Sequence, residues 1–174
     1  MNMQVPAAAA GGEMENRLSQ GPGTSHSVET GIDPCDVVLD VELHNRRHAL
    51  ELAAAAFGRS LGLDPDPIFR ALWRRELVGS TALGCGIAIP HARIDGIAEP
   101  TTLYLRAKWP IDFAAPDGKP VRHLLVIVVP TDGDAEAHLR LLAAAAQKFT
   151  ERTFRDRLTA ADDAHAIRQA FADP

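Results

Sequence analysis

Arg75-Glu76-Leu77-Val78-Gly79-Ser80-Thr81-Ala82-Leu83-Gly84-Cys85-Gly86-Ile87-Ala88-Ile89-Pro90-His91-Ala92-Arg93 is the stretch on which the reading of this chain turns. Ile87 to Pro90 is apolar and ends at a proline, which reads as a short strand stopped where a ladder donor is missing. Gly79 to Gly86 is glycine-rich and polar, which reads as a loop. Proline fixes its own φ and restricts the residue before it, so His91 is expected to leave the sheet edge on a stiff mount. The loop ahead of it offers glycines that let a backbone approach a ligand closely, and N–H groups that can gather around an anion. Arg75 lies upstream, and a guanidinium can grip two phosphate oxygens at once. A neutral imidazole, with an ordinary pKa of about 6.5, is nucleophilic near neutral pH. Together these groups describe a phosphoryl acceptor ringed by anion-binding groups. Taken singly, a histidine beside a strand end is more often structural, and glycine loops are often plain turns.

Working outward, Asp64-Pro65-Asp66 opens a helix ahead of the stretch, with acids placed at its N-terminus. Its apolar positions are read as Ile68, Leu72 and Leu77, with Trp73 at the edge. Before it, Asn45 to Ser60 is a helix with Leu50, Ala53, Phe57 and Leu61 on one stripe and Gly62 as its stop. Val37-Val38-Leu39 with Val41 is a first strand. Downstream, Thr101 to Ala107 alternates as a strand, with Leu103 and Leu105 against Thr102, Tyr104 and Arg106. Pro116-Asp117-Gly118 is a turn. Val121 to Val129 is apolar and β-branched, as a strand covered on both faces must be. Asp132 and Asp134 read as turn and helix-start residues. A helix from about Ala135 to Phe149 carries His138, Leu141, Leu142, Ala145 and Phe149 on one stripe. Two short helices, near Thr153 to Ala160 and Asp163 to Phe171, close the chain. Strands alternating with helices imply an α/β sandwich, a central sheet covered by helices.

The 174 residues suit one domain, residues 34–174, behind an N-terminal tail, residues 1–33. That tail is rich in Ala, Gly, Ser, Gln and Glu and too poor in large apolar residues to offset the entropy of ordering, although Met14 and Leu18 allow a transient helix. A formal net charge of -5 is a poor basis for non-specific nucleic-acid or anionic-membrane binding. The longest strongly apolar run, Leu124 to Val129, is far short of a membrane span, and the N-terminus lacks a secretory pattern. The chain is therefore expected in the cytoplasm, not inserted in a membrane. Cys35 and Cys85 form no CxxC pair and are expected to be reduced, Cys85 as a small buried filler. No spacing suggests a metal site.

The stretch resembles the active-site signature of enzyme IIA domains of the fructose/mannitol class of the sugar phosphotransferase system. The matching elements are Arg75-Glu76, Gly79-Ser80-Thr81 and Gly84-x-Gly86-Ile87-Ala88-Ile89-Pro90-His91, then Leu124 to Pro130 and the helix with His138-Leu139. The resemblance covers about residues 35 to 172. It implies that family's fold, a central mixed β-sheet flanked by helices on both faces. It implies phosphorylation of His91, a second active-site histidine at His138 and a phosphate-site arginine at Arg75. Ser80, Thr81 and Gly86 fall where the family's loop lines the phosphate, and no cofactor or metal is implied. The sequence departs at Cys85, where asparagine is common, and at Ala92, where glycine is commoner. On the residues alone, His138 reads as a core histidine, Arg75 as a solvated helix charge, and Ser80 and Thr81 as turn stiffeners. No acid lies between Leu77 and Arg93 to serve as a general base.

The resemblance implies a phosphoryl donor like the small carrier HPr, with regulatory target proteins or an enzyme IIB domain as acceptor. Ala92-Arg93 and the lack of a sugar-binding or membrane segment favour the nitrogen-regulatory branch. The alternatives are the IIA component of a fructose/mannitol-type uptake system and a binding module of the same fold that is never phosphorylated. A hydrolase built on His91 would need a water- or acyl-activating set that is not visible.

Overall fold

The computed structural model describes residues 32–173. Met14 and Leu18 lie outside them. Ile32 and Asp33, expected as the end of the tail, belong to the folded part: Ile32 is buried, and the Asp33 carbonyl accepts the Thr102 hydroxyl at 3.0 Å.

The strands are β1 (Asp36–Val41), β2 (Ala82–Gly84), β3 (Ile87–Ala88), β4 (His91–Ile94), β5 (Thr101–Ile111) and β6 (Val121–Pro130). The helices are α1 (Arg46–Leu61), α2 (Pro65–Val78), α3 (Ala135–Thr150), α4 (Arg152–Ala160) and α5 (Ala164–Ala172). One mixed sheet runs β1-β5-β6-β3-β2, with β4 also paired to β6. β5 and β6 are antiparallel; β1 runs parallel to β5, and β3 and β4 parallel to β6.

The apolar run of β6 explains the layers. Its residues alternate: Leu124, Val126 and Val128 pack with α1 and α2, against Leu50, Phe57, Ile68 and Leu72. Leu125, Ile127 and Val129 pack on the other side with α3 to α5, against Phe149, Phe154, Ile167 and Phe171. A strand covered on both faces has no polar side to show, which is why this run looks continuous in the sequence. The alternation expected in β5 does not separate core from solvent, because Thr102 to Ala107 are all buried. Arg106 survives there by pairing with both Asp40 oxygens, at 2.9 and 2.7 Å, while its Nη1 donates to Leu158 and Ala161 carbonyls at the end of α4.

Caps form where the sequence places them. Asn45, Asp64 and Asp134 accept backbone N–H groups at the starts of α1, α2 and α3, and Gly62 closes α1 at φ 68°. On α2 the buried face is Ile68, Leu72 and Glu76, spaced by four, whereas Leu77 points outward at 62 % exposure.

Two local expectations change. The segment Gly79 to Gly86 is only partly loop: Ala82–Gly84 forms β2, antiparallel to β3 across a two-residue turn. Both turn residues have positive φ, 53° at Cys85 and 80° at Gly86, the geometry favoured by tight hairpins. Cys85 is exposed there and not a buried filler. Pro90 also does not end the strand. Ile87 and Ala88 face His123 and Leu124, and His91 and Ala92 face Ile127 and Val128, so one register spans the proline. Pro90 lacks a ladder donor yet still accepts from Ile127 N–H at 2.9 Å. The ladder is interrupted for two residues, and His91 opens β4 instead of leaving the sheet.

Candidate active site

His91 stands first in β4, an edge segment against which α2 packs. Its neighbour Ala92 belongs to the α1–α2 core, so alternation turns His91 toward the layer of α3. There it meets His138, on the first turns of α3, with ring centroids 5.7 Å apart and the planes nearly at right angles. Between them in sequence the chain runs through β5 and β6, and the C-terminal end of β6 leads into the turn before α3.

The hydrogen bonds fix the His91 tautomer. Nδ1 lies 2.8 Å from the Ile89 carbonyl, which can only accept, so Nδ1 carries the hydrogen. Nε2 then keeps its lone pair, and Arg75 Nε–H donates to it at 3.1 Å. Arg75 also donates to Gly79 O at 2.9 Å, which holds the guanidinium at the end of α2. Burial lowers the His91 pKa, and the nearby Arg75 and His138 lower it further. Burial and the Arg93 cation likewise lower the His138 pKa. Both imidazoles are therefore neutral near pH 7.

An open cleft of about 360 Å³ lies over this pair, lined by Arg74, Arg75, Arg93 and His138 above Ala71 and Ala92. Arg93 Nη1 donates to Thr131 and Gly133 carbonyls at 3.2 and 3.1 Å, which ties β4 to the turn ahead of α3. His138 Nδ1 is buried and has no hydrogen-bond partner among the described residues. No acidic side chain lines the cleft, so it concentrates positive charge, a setting for an anion. On its other flank a second depression of about 370 Å³ runs past Ser80, Leu83, Leu139 and Leu142. Leu83 and Leu139 are 47 % and 65 % exposed, an apolar rim beside a charged centre.

Of the residues marked in the sequence, the structure gathers His91, His138 and Arg75. Ser80 and Thr81 lie nearby, but their hydroxyls are engaged. Ser80 Oγ donates to Phe113 O, and Thr81 Oγ1 donates to Glu76 Oε2 at 2.6 Å. Gly86 sits at the hairpin turn, its carbonyl accepting from Arg122 and His123. It faces the His123 end of β6, roughly 13 Å along the sheet from the Ile127 level of His91 at ~3.3 Å per residue. It takes no part in the cleft. Among the described residues no group of His, Cys, Asp or Glu is placed to hold a metal ion, and no helix is long and apolar enough to cross a membrane.

Three residues to which the sequence reading gave no place in the site belong to it or lie beneath it. Arg74 and Arg93 line the cleft, and Glu76 is buried beneath the loop at 2 % exposure. The signal for Glu76 was its spacing: four after Leu72 and eight after Ile68, it falls on the buried stripe, where a carboxylate needs partners.

Residues 32–173 match the family model described as "Phosphoenolpyruvate-dependent sugar phosphotransferase system, EIIA 2". The chain is 37 % identical over 147 residues to a nitrogen regulatory protein of Pseudomonas aeruginosa, covering 84 % of this chain and 95 % of that one. The crystal structure of nitrogen regulatory protein IIA-Ntr from Neisseria meningitidis superposes with a TM-score of 0.74 at 35 % identity, covering 78 % of this chain and 92 % of that one. The IIA mannitol crystal structure from Escherichia coli shares the fold, with a TM-score of 0.66 at 16 % identity, over 78 % of this chain and 95 % of that one. With every described residue inside the matched region, this chain belongs to the EIIA 2 family of the phosphoenolpyruvate-dependent sugar phosphotransferase system, on the side of its nitrogen regulatory members.

Proposed function

We propose that His91 accepts a phosphoryl group on Nε2 and that the chain carries it as a nitrogen- and potassium-related regulatory component. The observation that supports this most is the held tautomer: Nδ1–H is bound to Ile89 O, and the Nε2 lone pair faces a cleft of three arginines and a second histidine. The donor in this reading is a small HPr-like carrier bearing a phosphohistidine. The donor's N–P bond breaks as the Nε2–P bond of His91 forms, in line. The lone pair needs no prior deprotonation, so no general base is required, in keeping with a cleft that has no carboxylate. Nor does the reaction so drawn call for a metal or cofactor.

Arg75 holds the lone pair at rest. Transfer requires its guanidinium to turn from Nε2 onto the phosphoryl oxygens, where most of the charge sits in a loose transition state. Arg74, Arg93 and His138 face the same space and are positioned to neutralise that charge. Ser80 and Thr81 serve by stiffening the loop, since their hydroxyls are already bonded. The open cleft and apolar rim suit a protein donor and a protein acceptor better than an enclosed small-molecule substrate. Acceptors are regulatory target proteins or an enzyme IIB domain, met in the cytoplasm.

Incubation with phosphoenolpyruvate, enzyme I and an HPr-type carrier tests the reading by intact-mass measurement. The wild type gains one phosphoryl group and His91→Ala gains none. A wild type without the gain, or a His91→Ala variant that keeps it, overturns the assignment.

A further inference from the structure

Glu76 is the one acidic side chain of the described residues buried this deeply, and it has no role in the chemistry above. Its Oε2 accepts twice from Thr81, from N–H at 3.1 Å and from Oγ1–H at 2.6 Å. Its Oε1 makes no hydrogen bond and has Arg46 Nη1 at 3.8 Å. A buried carboxylate left without partners is strongly disfavoured, so its place under this loop needs a reason.

The bonds continue from Thr81. Its carbonyl accepts Ile89 N–H at 3.0 Å, and the Ile89 carbonyl accepts His91 Nδ1–H at 2.8 Å. Ile89 lies in the two-residue interruption between β3 and β4. Pro90 points its carbonyl at β6, so the preceding Ile89 points its N–H and carbonyl the other way, toward Thr81 and the His91 ring. The β6 ladder therefore does not set the peptide that orients the nucleophile; Thr81 does, and Glu76 sets Thr81.

We propose that Glu76 is a positioning residue for His91, holding its ring in the Nδ1–H form through Thr81 and Ile89. The assignment rests on the reading that His91 is the phosphoryl acceptor. A ring rotated away from Ile89 O, or carrying its hydrogen on Nε2, presents no lone pair to the cleft. Arg46 completes the arrangement, its cation compensating the buried charge while it packs over Trp73 at 5.8 Å.

The test reads the His91 ring directly and does not depend on phosphorylation. Ring nitrogen-15 shifts of the full-length protein report which nitrogen bears the hydrogen. The wild type shows the Nδ1–H form alone. Glu76→Ala and Thr81→Val show a mixture with the Nε2–H form, and transfer from the phosphorylated carrier slows by about tenfold. Glu76→Gln keeps an acceptor for Thr81 and restores both readouts to within about twofold of wild type. If Glu76→Ala does not fold, the isosteric Thr81→Val variant decides. Wild-type ring shifts in a folded Thr81→Val or Glu76→Ala variant overturn the proposal. A tautomer change in a protein whose wild type takes no phosphoryl group would keep this linkage and sink the acceptor assignment instead.

Discussion

At the scale of single residues, the site depends on which nitrogen is free and what holds it. Arg75 lowers the His91 pKa and caps Nε2. Removing it in Arg75→Ala should raise the His91 pKa, visible in an NMR titration, and slow phosphoryl transfer on the order of a hundredfold, the typical loss of one preorganised charge donor. The two effects reinforce each other at pH 6, where the raised pKa leaves more of the ring protonated and less of it able to react. Because the wild-type pKa is depressed, transfer should persist at mildly acidic pH, where free imidazole is already half charged. Cys85 offers a separate test. It occupies φ 53° at an exposed turn, a conformation that asparagine and glycine tolerate better than other residues. Cys85→Asn should raise stability by about 1 kcal/mol, read as a higher urea midpoint with unchanged slope.

At the scale of elements, helices were legible and the site's strands were less so. Stripes of Leu50, Ala53 and Phe57, or of Ala145 and Phe149, repeat over several turns and are capped by Asn45 and Asp134, so several signals agree. β2 has three residues and β4 four, too few for any period to register, and a proline between apolar residues reads as an end. What rescued the location of His91 was the composition of the stretch, not its secondary structure. Arg106 was equally opaque, since a basic residue in an alternating strand reads as solvent-facing. In place it joins Asp40 on β1 to the carbonyls that end α4. Arg106→Ala should lower stability by about 2 kcal/mol, because the buried Leu158 and Ala161 carbonyls at the end of α4 lose their donor while half-exposed Asp40 returns to water, measured by chemical denaturation. Lysine there cannot reproduce the paired contact and should recover less than half.

For the whole molecule, pH acts through His123 as well as through the cleft. His123 is buried between Tyr104, whose hydroxyl lies 2.7 Å from Nδ1, and Thr159, 3.2 Å from Nε2. Burial, with Arg122, Arg106 and Arg155 nearby, pushes its pKa down to about 4. The unfolded chain binds that proton near pH 6.5 and the folded chain does not, so the neutral ring's contribution is complete above pH 6.5 and lost as pH falls toward 4. On the order of 3 kcal/mol is at stake over that window at ~1.4 kcal/mol per unit. Thermal melts between pH 7 and 4 should show the fall, and His123→Gln should flatten it.

The unbroken register of Ile87 to Ile94 along β6 makes the nucleophile's placement a matter of parity. An odd number of residues gained or lost between Ala88 and His91 would rotate the imidazole into the compartment of Phe57 and Leu72, sealed from any donor. Even steps would keep it facing outward but slide it away from His138. Only one chain length between the hairpin and the edge satisfies both conditions, so evolution can vary the residues of this segment far more freely than its count.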